Sequence, residues 1–225
     1  MRHFASALIA SMGSAQWINW PITVDGNAKT VYIDSKDWSQ ANYIQNEVFI
    51  GANNSLFVRD TTDETHALWS MYNPYIRGGA VEYDINVSGV QSGCVAGVYL
   101  VDTSSDAAGC HEKAQTSEPQ CKTIDVMQAN RYGFETKANP CDGGNCNAVS
   151  QCALRMRNQG AAVYGSGAYG PGGSMIDTDF PFHVKNEFIS TPDYQKLWKL
   201  RTRITQGSDE IVMEADCRDS LVGLN

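Results

Sequence analysis

Cys121-Lys122-Thr123-Ile124-Asp125-Val126-Met127-Gln128-Ala129-Asn130 is the stretch whose reading decides the fold. In a strand successive side chains point to opposite faces, so Thr123 and Asp125 share one face while Ile124 and Val126 share the other. The alternation then slips, because Val126 and Met127 are adjacent and both apolar. A β-bulge between Asp125 and Gln128 absorbs the extra residue and brings Gln128 back to the polar face. The reading predicts that Thr123, Asp125 and Gln128 converge on one side of a strand whose other side is apolar.

Outward from this strand the chain keeps the same rhythm. Short β-rich runs cover Val31 to Ile33, Glu47 to Ile50, Ser55 to Val58, Ala67 to Met71, Val81 to Val87 and Val95 to Val101, with turn residues between them. Further on come Phe180 to Ile189 and the pair Leu197 to Thr205 and Glu210 to Ala215, joined by Gln206-Gly207-Ser208-Asp209, a hairpin connection. Helical periodicity is almost absent. The pattern predicts an all-β fold, a sandwich of antiparallel sheets. Trp20, Trp38, Trp69 and Trp198 are assigned to the core. Asp142 to Ser150 and Gly165 to Ser174 are loop-rich, and the glycine-rich part of the latter lacks the Lys-Ser/Thr of a phosphate loop.

Residues 1–15 combine Arg2 and His3, an apolar run from Phe4 to Ile9, and Gly13-Ser14-Ala15, which reads as a signal peptide. Residues 16–225 are then expected to form one secreted domain without a membrane span, and a monomer. Seven cysteines suit an oxidising compartment, and their spacing, with histidines scattered at 66, 111 and 183, does not suit zinc. His66 and His111 have no motif around them and are given no role. No metal and no cofactor is expected. Asn53-Asn54-Ser55 and Asn86-Val87-Ser88 are glycosylation sequons in an exported chain. A net charge of −8 without a basic cluster excludes nucleic acid and anionic membranes as partners and favours neutral ones.

The polar spacing at Thr123, Asp125 and Gln128, followed by Ala129-Asn130, resembles the Glu-x-Asp-x-x-Glu strand of glycoside hydrolase family 7, the cellobiohydrolase and endoglucanase type. Upstream, Gly79 to Ser88 through Cys94 and Gly97-Val98-Tyr99-Leu100-Val101 resemble that family's paired strands ending in a cleft tyrosine. Downstream, Asn139-Pro140-Cys141 stands where the family has His-Pro-Cys, and Tyr169-Gly170-Pro171-Gly172 with Asp177-Thr178 is similar to its Tyr-Gly-Pro-Gly segment. The matches keep their order from Gly79 to Thr178, in a chain shorter than such enzymes usually are. The resemblance implies an all-β, concanavalin-like jelly-roll sandwich of two antiparallel sheets. It also implies a cleft lined by Tyr99, Asp125, Gln128, Asn130, Tyr132 and Asn139, with Tyr132 and Tyr169 on rim loops. It further implies disulfides Cys94–Cys217, Cys110–Cys121 and Cys141–Cys146, leaving Cys152 as the odd thiol.

The residues depart from the family where its chemistry resides. Retaining hydrolysis uses two carboxyl groups about 5–5.5 Å apart, one as nucleophile and one as acid/base. Thr123 and Gln128 occupy those positions here; a threonine without an adjacent base is a poor nucleophile and an amide does not transfer protons. The expectation is a secreted protein that binds a polysaccharide of the β-glucan or cellulose type without retaining hydrolase activity. Three alternatives stand beside it. One is a weak hydrolase using a relocated carboxylate among Glu112, Glu118 and Glu135. Another is a polysaccharide lyase built on Gln128, Asn130, Arg131, Tyr132 and His183. The last is a structural or host-interaction protein.

Overall fold

The computed structural model describes residues 18–24, 27–35, 41–44, 47–50, 56–59, 78–101, 123–139, 152–193 and 197–216. The chain divides into two compact units, Met1–Pro74 and Tyr75–Asn225. In the first, β1 (Ile18–Val24), β2 (Asn27–Ser35) and β5 (Leu56–Arg59) form an antiparallel sheet in the order β1-β2-β5, and β3 (Ala41–Ile44) pairs with β4 (Glu47–Ile50). The runs at Val31 to Ile33 and Glu47 to Ile50 are strands, and Leu56 to Val58 of the run begun at Ser55 lie in β5, Ser55 itself being outside the described residues. The run Ala67 to Met71, Trp38, Trp69 and residues 1–15 lie outside the described residues.

The second unit carries two four-stranded antiparallel sheets. The first is ordered β10-β9-β8-β7, from β7 (Ala96–Val101), β8 (Thr123–Asn130), β9 (Gly133–Asn139) and β10 (Ala153–Arg155). The second is ordered β15-β14-β13-β6, from β6 (Ala80–Ile85), β13 (Phe182–Ser190), β14 (Leu197–Gln206) and β15 (Asp209–Asp216). A short parallel pair, β11 (Tyr169–Gly170) and β12 (Ile176–Asp177), interrupts the loop-rich segment. Among the described residues helix is confined to a π-helical turn, Met156–Gly160, and one α-helical turn, Ala161–Tyr164. Among the described residues no helix is long and apolar enough to cross a membrane.

Period-two patterning explains the packing. On β13, Phe182, Val184, Asn186 and Phe188 point inward while His183, Lys185 and Glu187 point outward. The inward faces of the two sheets share one core, in which Val126, Met127, Phe134 and Leu154 meet Phe188, Leu200, Ile204, Ile211 and Met213. Each fully buried side chain of this size contributes about 1.5–3 kcal/mol through removal of apolar surface from water. The outward face of the second sheet carries ion pairs: Lys185 with Glu82, Arg203 with Glu187 and Glu210, and both Lys199 and Arg201 with Glu214. The β14–β15 hairpin closes on Gly207, at φ +61°, as its turn residues foretell.

Two expectations need correction. Trp198 is not in the core: it is half-buried, its Nε1 donates to Asp216 at 3.2 Å, and Lys199 Nζ lies 5.3 Å from its ring centroid. The register shift between Ile189 and Ser190 accounts for this, since it breaks the alternation that assigns Trp198 an inward face. The cysteine scheme is also reversed. Cys94 is a free, exposed thiol, whereas Cys152 is completely buried and disulfide-bonded. Cys94 therefore does not pair with Cys217, and Cys152 is not the odd thiol. Cys94 sits in the exposed turn before β7, while Cys152 leads into β10 with its carbonyl accepting from the Ala138 amide at 3.1 Å. Cys110, Cys121, Cys141, Cys146 and Cys217 lie outside the described residues.

Candidate functional site

The bulge forms where the slipped alternation places it. On the β7 side Val98 pairs with Met127 and Tyr99 with Asp125, so Val126 is skipped. On the β9 side Asp125 pairs with Lys137 and Gln128 with Glu135, which leaves Val126 and Met127 together opposite Thr136. Both apolar residues are completely buried. Asp125 and Gln128 consequently share the face turned away from the core. Gln128 Nε2 donates to Asp125 Oδ2 at 2.7 Å, and Lys137 Nζ lies 3.3 Å from the same oxygen.

Cross-strand neighbours extend this face. Glu135 stands opposite Gln128, and Arg155 opposite Glu135, with Arg155 Nε 3.1 Å from Glu135 Oε1. Among the described residues the floor thus holds two carboxylate–cation pairs, Asp125 with Lys137 and Glu135 with Arg155, whose charges balance although the whole chain is acidic. Asp125 is only 3% exposed, whereas Gln128, Lys137, Glu135 and Arg155 are half-buried and reach solvent. Burying a carboxylate to this degree is tolerable only with such partners.

The backbone places Thr123 between Val101 and Asn139, and Tyr99 beside Asp125, so four residues singled out in the sequence occupy adjacent strands. The side chains of Tyr99, Thr123 and Asn139 lie outside what is described. Asn130 ends the same strand and shapes its turn: Oδ1 accepts from the Tyr132 amide at 2.8 Å and Nδ2 donates to the Cys94 carbonyl at 3.1 Å. Tyr132, 57% exposed, tips the two-residue β8–β9 hairpin.

Tyr169 is not on a rim. It is buried edge-to-face against Phe134 and Phe182, its hydroxyl donates to the Asn130 carbonyl at 3.0 Å, and burial pushes that hydroxyl's pKa up. The Tyr-Gly-Pro-Gly segment thus supports the hairpin from beneath, helped by Thr178 Oγ1 donating to the Arg131 carbonyl at 2.9 Å and an Arg131–Asp179 ion pair.

The lyase arrangement is not assembled. His183 lies on the outward face of the second sheet, with Nδ1 3.0 Å from Asp84 Oδ1, on the far side of the core from Gln128. Of the relocated-carboxylate candidates, Glu135 is on the site face, and Glu112 and Glu118 lie outside the described residues, as do His66, His111 and Asn53. Asn86 is exposed and its Oδ1 accepts from the Ser88 amide at 2.9 Å. Among the described residues no three His, Cys, Asp or Glu side chains gather as a metal site. Lys137, on the strand paired with the bulged one, and Arg155, one strand further, went unnoticed in the sequence, where neither strand was recognised.

This architecture, two antiparallel sheets with a bulged strand carrying polar residues on one face, is the concanavalin-like jelly roll of the family 7 glycoside hydrolases. A family 7 cellobiohydrolase from Daphnia pulex is 14% identical, matching 89% of this chain and 72% of its own at a TM-score of 0.60. An endoglucanase I complexed with cellobiose is 12% identical, over 89% and 73% of the two chains, at 0.64. The native endocellulase of Humicola insolens is 14% identical, over 88% and 73%, at 0.60. No family model and no curated protein sequence matches the chain. At such identities the likeness is one of fold.

Proposed function

We propose that the chain is a secreted carbohydrate-binding protein that holds a neutral polysaccharide, a β-glucan, over the face of Asp125 and Gln128 without retaining hydrolysis. The observation that carries this reading is the Gln128–Asp125–Lys137 cluster. An amide stands where proton transfer is needed and is itself bonded to the remaining carboxylate. An amide and half-exposed charged groups are good partners for sugar hydroxyls, and a floor whose charges balance suits an uncharged ligand. Tyr132, exposed at the hairpin tip, offers a ring to the apolar face of a pyranose. Solved structures of this fold include one complexed with cellobiose, which supports a cello-oligosaccharide as the first ligand to try.

Export, glycosylation at Asn53 and Asn86, and a monomeric state complete the proposal, and the sequons and the cysteine count support the first two. One observation favours a second reading: Glu135 stands directly across from Gln128, where a hydrolase with a relocated carboxylate would need one. Its engagement with Arg155 counts against that role. A glycan array run beside assays for released reducing sugar and for unsaturated uronide tests the proposal. Binding to β-glucans with neither product supports it; no glycan binding transfers the weight to a structural or host-interaction role.

A further inference from the structure

A residue inserted into a β-ladder disturbs the regular pairing of the backbone around it, and Val126 is completely buried, out of reach of water. Its carbonyl accepts from Thr136 Oγ1 at 3.0 Å. Thr136 is itself buried, in a polar group that crosses the core: Thr202 Oγ1 lies 2.7 Å from Asn186 Oδ1 and 3.0 Å from Thr136 Oγ1. Asn186 Nδ2 in turn donates to Tyr83 Oη at 3.3 Å. Thr136 Oγ1 is also 3.2 Å from Asn186 Oδ1, so two threonine protons serve two carbonyl acceptors. The shorter bond gives the Thr202 proton to Asn186, and the Thr136 proton goes to Val126. Reversing the Asn186 amide gives the same result, because its two N–H groups then face both threonines.

We propose that Thr136 is a positioning residue for the ligand face, holding the bulge open from inside the core and so keeping Gln128 beside Asp125. Without the bulge, strict alternation turns Met127 outward and Gln128 into the core, since a one-residue slip reverses every side chain beyond it. Valine at 136 keeps the shape and removes the proton that Thr136 gives the buried Val126 carbonyl, which favours closing the bulge. The inference rests on the Asp125–Gln128 face being the ligand site only for its consequence on binding; the clamp itself is independent of the ligand.

The test uses the full chain, isotope-labelled. Through-space NMR contacts between the Gln128 side-chain amide and Glu135 report the register, and calorimetry with a β-1,4-gluco-oligosaccharide is run on the same samples. Thr136→Val, with the smaller Thr136→Ala in parallel should valine not fold, should lose those contacts and weaken binding by about tenfold or more. Thr136→Ser should retain both. Thr202→Val removes a hydroxyl of the same buried group that does not touch Val126; Thr136 Oγ1 is nearer the Val126 carbonyl, at 3.0 Å, than Asn186 Oδ1, at 3.2 Å, so its proton should stay with Val126 and the contacts should remain. Unchanged contacts in Thr136→Val and Thr136→Ala, or equal loss in Thr202→Val, would overturn the clamp. Lost contacts in a protein that binds no glucan at all would uphold the clamp and sink the ligand reading instead.

Discussion

Gln128 and Asp125 stand three residues apart, on either side of a bulge, and are joined by a 2.7 Å hydrogen bond from the amide to the carboxylate. In a regular strand they would point to opposite faces. The bond commits one amide proton to Asp125 and leaves Gln128 Oε1 for a sugar hydroxyl. Gln128→Ala should therefore keep the fold and weaken glucan binding by about tenfold, as measured by calorimetry.

Lys137 is the ionic partner of a nearly buried carboxylate. Lys137→Met keeps the length of the side chain and removes its charge, so Asp125 loses one of its partners. Stability should fall by about 2 kcal/mol in chemical denaturation. Asp125→Asn in the same background should recover part of the loss, because the uncompensated charge disappears with it.

Glu214 links the pH dependence to the second sheet. Hydrogen bonds from Lys199 and then Arg201 hold its carboxyl below the usual range. A depressed carboxylate adds stability that is present above the unfolded value and lost as pH falls through the folded one. The melting temperature of the native chain should exceed that of Glu214→Gln at pH 7, and the gap should close as pH drops below about 4.5. The gap should be small and should shrink with salt, as expected of a largely exposed pair.

Gly173 has no room for a side chain: a Cβ there would lie 2.2 Å from the Ile176 carbonyl oxygen and 2.9 Å from the Gly170 nitrogen, both backbone atoms. Gly173→Ala should destabilise the chain by about 1–3 kcal/mol and lower the Tm. Because this loop carries Tyr169 and Thr178 up to the β8–β9 turn, the amides of Arg131 and Tyr132 should exchange faster with solvent in the variant.

Alkylation of the native, non-reduced protein followed by peptide mapping should label Cys94 and spare Cys152. Cys94→Ser should leave stability unchanged within about 0.5 kcal/mol, whereas Cys152→Ser should cost about 2–5 kcal/mol. Protection of Cys94 from the reagent would contradict the assignment.

The bulge was legible because two adjacent buried apolar residues, Val126 and Met127, leave a strand no other way to keep its faces. Strands with strong alternation, such as Phe182–Ser190 and Leu197–Gln206, were legible for the same reason. The strand Gly133–Asn139 was not, because its inward residues are Phe134, Thr136 and Ala138: only one is a large apolar residue, and threonine inside looks like threonine outside until Asn186 and Thr202 supply its partners. Tyr169 was misplaced because glycines and a proline announce a loop but not what one ring within it packs against. The cysteine scheme came from the likeness to a family, and it failed where this chain puts Cys94 in an exposed turn.

The central claim, a ligand face without hydrolysis, is tested most directly on the unaltered protein, titrated with β-1,4-gluco-oligosaccharides in a calorimeter while the same samples are assayed for released reducing sugar. The account predicts saturable binding, weakened in a Thr123→Ala, Gln128→Ala variant, and no product from either protein. Turnover by the unaltered protein that persists in that variant would contradict it.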